Sequence, residues 1–87
     1  MSATPDQASS TDVTMYWRPG CGFCSMLRRD LTTLGVAFTE INIWDEPDAA
    51  AFVRSVANGN EVVPTITVGG AALVNPAAAE VLARTLA

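Results

Sequence analysis

Histidine and lysine are both missing from this 87-residue chain, and cysteine occurs only twice. Without histidine there is no imidazole to ligate a metal or to activate a serine. Without lysine, the cationic charge rests on five arginines against nine carboxylates, a net charge of −4. That balance argues against nucleic acid as the main partner, because neutralising phosphates needs clustered cations. Two cysteines are too few to staple a disulfide scaffold, and with no histidine they are too few for a zinc site within one chain. No metal is therefore expected. No apolar run approaches the ~20 residues of a membrane helix, so no membrane partner is expected. The first twelve residues have neither a basic start nor an apolar stretch, so they do not read as a secretory signal and a cytoplasmic location is expected.

What is present is enough apolar residue, 49% of the chain, to build one packed core. Met1 to Asp12 is small and polar and reads as a flexible tail, residues 1–12, ahead of a domain spanning 13–87. Val13 to Trp17 alternates and reads as a strand, ended by Arg18-Pro19-Gly20. Cys24, Leu27, Leu31 and Leu34 then fall on one helical face, and Gly35 suits a helix stop. Val36 to Trp44 reads as a second strand. Asp45 is the expected cap of a second helix, with Pro47 in its first turn and Ala49, Phe52, Val53 and Val56 inward. Thr65–Val68 and Ala71–Val74 flank Gly69-Gly70 as a β-hairpin. Asn75-Pro76 is the expected start of a last helix burying Ala79, Leu82 and Leu86. The order is β-α-β-α-β-β-α, an α/β chain with a four-stranded mixed sheet flanked by helices.

The chemistry gathers at Cys21-Gly22-Phe23-Cys24, placed between the first strand and the first helix. A lone CxxC is a weak signal, but in this position it reads as a redox pair. Unpaired amides and the dipole at a helix N-terminus favour thiolate over thiol, lowering a cysteine pKa from about 8.5 into the range of about 3.5–7.5. Arg18 is the nearest cation and pushes the same way. Cys21, at the helix mouth, is the candidate nucleophile; Cys24, one turn inward, is the more buried candidate resolving thiol. The alternative is a pair of buried structural thiols. Pro64 is either an ordinary strand-start residue or part of a cis Val63-Pro64 bond facing the cysteines. Trp17, Phe23 and Trp44 are candidates for a substrate surface, with Trp44 equally readable as core. Arg28-Arg29 reads as a solvated helix face.

The run Arg18 to Cys24, followed by Val62-Val63-Pro64 before a hairpin, resembles the glutaredoxin family of the thioredoxin superfamily. Within it, Phe52-Val53, Val63-Pro64-Thr65 and Leu73-Val74-Asn75-Pro76 are most similar to the mycoredoxins, small actinobacterial members that work with mycothiol. The resemblance spans about Val13 to Ala87. It implies a thioredoxin fold and a thiol-disulfide oxidoreductase that reduces mixed disulfides between proteins and a low-molecular-weight thiol. Cys21 would be the nucleophile and Cys24 the resolving thiol. Arg18, Phe23, Val63 and the cis Pro64 would contact the thiol substrate, with the Val63 main chain pairing to it in strand fashion. No cofactor would be bound. Mycothiol or glutathione would be the co-substrate of a monomer whose partners are that thiol and thiolated or disulfide-bonded proteins. Val62 replaces the usual threonine, and Val74 to Ala78 carries neither the glycine pair nor the aspartate that hold glutathione, which favours mycothiol. Two other activities fit the same cysteines. One is a redoxin for ribonucleotide reductase fed by thioredoxin reductase; the other is a [2Fe–2S] carrier.

Overall fold

Val13 and Met15 are buried on one face of β1 (Val13–Trp17), and Tyr16 turns to the other, as a two-residue period requires. The structure is a computed structural model that describes residues 12–86. β1 lies inside a four-stranded sheet of order β2-β1-β3-β4, with β2 at Thr39–Asn42, β3 at Thr65–Val68 and β4 at Ala71–Val74. The β1–β2 pair is parallel; β1–β3 and β3–β4 are antiparallel. Three helices complete the β-α-β-α-β-β-α order: α1 (Gly22–Thr33), α2 (Pro47–Val56) and α3 (Ala78–Thr85). The fold class matches the expectation from sequence.

The sheet separates two apolar clusters. Val13, Met15, Leu27, Leu31, Ile66 and Val81 join β1 and β3 to α1 and α3. On the other side Ile43 packs with Ala49, Ala50 and Val53 of α2, with Tyr16 and Phe52 beside them, ring centroids 5.1 Å apart. Each large aliphatic side chain buried this way contributes about 1.5–3 kcal/mol.

Four local expectations shift. The second strand occupies only Thr39–Asn42, because β1 offers partners from Thr14 to Trp17 and the chain then turns, Asp45 N–H donating to Asn42 O at 3.0 Å. Glu46, not Asp45, precedes α2, and it makes no side-chain cap. Leu34 caps the end of α1 and is exposed instead of facing the core. Ala77, not Asn75, is the N-cap of α3, so its buried face is Ala78 and Val81, while Ala79 and Leu86 are exposed and Leu82 is half-buried. The tail expected at the N-terminus lies outside the described residues up to Thr11; Asp12 accepts a 3.1 Å hydrogen bond from Gly69 N–H. Among the described residues, no helix is long and apolar enough to cross a membrane.

Candidate active site

α1 starts earlier than its apolar spacing announces, at Gly22, because Cys21 itself is the N-cap. Its backbone is extended (φ −92°, ψ 105°), and its Sγ accepts the Cys24 amide at 3.1 Å. A sulfur thus fills the place that serine, threonine or aspartate oxygen takes at most helix starts. Gly20, at φ 81°, supplies the left-handed step that swings the chain from β1 into this cap. Cys21 is half-buried and Cys24 is 1% exposed. The two are joined as a disulfide with a Cα–Cα separation of 5.2 Å, inside the ordinary range.

Across from the cap lies the turn before β3. The Val63-Pro64 bond is cis, and Pro64 is buried. Cys21 Sγ sits 3.7 Å from Val63 O. Pro64 O accepts the Asn75 N–H at 2.8 Å, and Thr65 Oγ1 donates to Val62 O at 2.8 Å. Arg18 Nη1 donates to Glu61 O at 3.2 Å, which ties the loop before Cys21 to the same turn. The Glu61 carboxylate pairs in turn with Arg54 from the last turn of α2.

A groove of about 210 Å³ opens beside the disulfide, lined by Trp17, Arg18, Cys21, Cys24, Ser25 and Arg28. The Arg28 guanidinium lies over the Trp17 ring, 5.2 Å from its centroid, and donates twice to Glu40 Oε1 on β2, at 3.0 and 2.8 Å. Phe23 and Met26, 65% and 51% exposed, form an apolar shelf three residues apart on α1. Trp44 is 64% exposed and so is not core. Among the described residues, no group of three or more acidic or sulfur side chains is placed to hold a metal ion.

The sequence-predicted residues therefore converge: Arg18, Cys21, Cys24, Val63 and Pro64 meet at one end of the sheet, with Phe23 on the adjoining helix surface. Arg28 had read as plain solvated surface. Its spacing held the signal, since Cys21, Ser25 and Arg28 are four and three residues apart and share a helix face. Nothing in the sequence pointed to these contacts of Thr65 and Asn75, because their partners are main-chain groups that only the folded chain brings close.

The glutaredoxin family model matches residues 13–73. The chain belongs to the glutaredoxin family. Like other glutaredoxins it is a thiol-disulfide oxidoreductase with a thioredoxin-like fold. A Mycobacterium tuberculosis protein named "Putative glutaredoxin Rv3198A" is 41% identical over 73 residues, covering 83% of this chain and 87% of its own length. Mycoredoxin 1 of Corynebacterium glutamicum is 35% identical over 75 residues, covering 85% and 92%. Among solved structures, the glutaredoxin of Brucella melitensis superposes with a TM-score of 0.65 at 28% identity, over 86% of this chain and 78% of that one. Family members use a thiol co-substrate without a bound cofactor, and act on protein disulfides.

Proposed function

We propose that this glutaredoxin reduces mixed disulfides between proteins and mycothiol, with Cys21 as nucleophile. The observation that carries this reading is the Cys21 sulfur at a helix N-cap, with the Cys24 amide aimed at it and the Val63 carbonyl opposite. That amide and the helix N-terminus favour the thiolate once the disulfide is reduced. The Cys21 thiolate attacks the mycothiol sulfur of the mixed disulfide. The protein leaves as its thiol, and mycothiol stays bound to Cys21 as a new disulfide. A second mycothiol attacks that disulfide, forming oxidised mycothiol and restoring Cys21. Arg18, Phe23, Val63 and Pro64 form the contact surface for the thiol substrate. The protein acts as a monomer in the cytoplasm. Mycothiol over glutathione is supported by the relative named Mycoredoxin 1 and by the β4–α3 connection. That connection, Asn75-Pro76-Ala77, carries no carboxylate of its own to hold a glutamyl amine, and its Asn75 N–H is spent on Pro64 O.

The Cys21–Cys24 disulfide supports a second reading, a dithiol redoxin fed by thioredoxin reductase, with Cys24 as resolving thiol. Turnover of a thiolated protein by wild type, Cys21→Ser and Cys24→Ser, with mycothiol and glutathione run separately, distinguishes the two. The first reading expects activity with mycothiol, retained in Cys24→Ser and abolished in Cys21→Ser. Full activity in Cys21→Ser would sink both. Reduction by thioredoxin reductase alone, lost in Cys24→Ser, would select the second.

A further inference from the structure

The main-chain oxygens of the turn facing Cys21 are taken up one by one. Glu61 O accepts from Arg18, Val62 O from the Thr65 hydroxyl, and Pro64 O from the Asn75 amide. Among the described residues, Val63 O alone of the four receives no N–H or O–H, and its neighbour is Cys21 Sγ at 3.7 Å, which carries no hydrogen in the disulfide. A four-residue turn is often closed by the amide of its last residue on the carbonyl of its first. Here Thr65 belongs to β3, opposite Tyr16 and Val74, and its hydroxyl closes the turn instead. Thr65 is 0% exposed, the one polar residue buried among those described. A buried hydroxyl left unpaired is costly, which confines this one to its single acceptor.

We propose that Thr65 is a positioning residue of the oxidoreductase: through Val62 it holds the Val63 main chain against Cys21, where the incoming disulfide pairs. This rests on the reading of Cys21 as nucleophile. Thr65 touches neither the sulfur nor the substrate; it acts by leaving Val63 as the open main-chain position of the turn.

The test compares Thr65→Val, which keeps the branched shape and deletes the hydroxyl, with Thr65→Ser, which keeps the hydroxyl. With a thiolated protein as substrate, Thr65→Val is expected to raise KM about fivefold to tenfold with kcat little changed, the size of one lost hydrogen bond. Thr65→Ser should stay within about twofold of wild type. The pH profile of Cys21 alkylation should be the same in all three, whereas a general loosening of the fold would shift it. Without substrate, NMR relaxation dispersion at the Val63 amide should be flat in wild type and Thr65→Ser and show exchange in Thr65→Val. An unchanged KM in Thr65→Val, equal losses in Val and Ser, or flat dispersion in Thr65→Val would each overturn the proposal. If Thr65→Val does not fold, the Thr65→Ser and Thr65→Ala pair isolates the same hydroxyl. If wild type turns over no mixed disulfide, the functional reading falls, and the dispersion at Val63 still decides whether Thr65 holds the turn.

Discussion

Cys21 is held from two sides that reach their geometry by different routes. The helix mouth, Arg18 to Arg28, is one continuous stretch, and its decisive bond, Cys24 N–H to Cys21 Sγ, spans three residues. The opposing turn is assembled from afar. Arg18 reaches Glu61 across 43 residues, Cys21 meets Val63 across 42, and Asn75 closes onto Pro64 from beyond the hairpin. The mouth follows from local capping rules; the turn exists only when β3 is in its place beside β1. A redox site built this way divides its labour. On the function proposed above, a local cap prepares the thiolate, and the surface proposed to receive the substrate depends on the whole fold.

The largest expected effect tests whether the two sides share one foundation. Leu31 lies in the helix behind the mouth and Ile66 in the strand behind the turn; both are 0% exposed and belong to the same cluster. Leu31→Ala and Ile66→Ala should each cost about 3 kcal/mol in urea unfolding, because each leaves a cavity in a core shared by both sides. A much smaller loss for Ile66→Ala would mean that the turn stands on other support. A smaller effect separates the left-handed backbone steps that serve each side. Gly20 and Asn75 hold φ values of 81° and 50°, and a Cβ at Gly20 would meet nothing within 4 Å. Gly20→Ala should therefore cost about 1–2 kcal/mol through backbone conformation alone, and Asn75→Ala somewhat less, since asparagine is already a side chain in the left-handed region. Asn75→Gly should be close to neutral; a large loss there would show that the asparagine side chain itself holds the turn. The smallest effect concerns the groove wall. Arg28 and Glu40 are each about one-third exposed, so a double-mutant cycle with Arg28→Ala and Glu40→Ala should give a coupling below about 1 kcal/mol, weakening as salt rises. A coupling untouched by salt would mark a pair more shielded than its exposure indicates.

The alternation of Val13 to Trp17 and the spacing of Cys24, Leu27 and Leu31 made the first βα unit legible, and with it the position of both cysteines. Where sequence reasoning slipped, a local signal had been outweighed by pairing. Val36 and Ile43 look like strand residues, yet Val36 bonds back to Leu31 O at the end of α1, and Ile43 only donates its N–H to Trp17 O where β1 ends; both are buried. Asn75-Pro76 looks like a helix start. In the fold, Asn75 takes a left-handed conformation to reach Pro64 O, which moves the cap to Ala77 and rotates the buried face of α3 to Ala78 and Val81. In a segment so rich in alanine, apolar spacing alone does not choose between neighbouring faces.

By itself the sequence determined the element order and the redox pair, because apolar periodicity and a CxxC ahead of a helix are written in consecutive residues. Its lack of histidine and lysine also removed whole classes of chemistry. Only the tertiary structure decided what faces Cys21. The Val63 carbonyl, the Thr65 hydroxyl and the Arg18 contact with Glu61 are meetings between segments some forty residues apart or inside a half-buried turn. Such meetings depend on strand register and main-chain hydrogen bonding, which side-chain identity does not record.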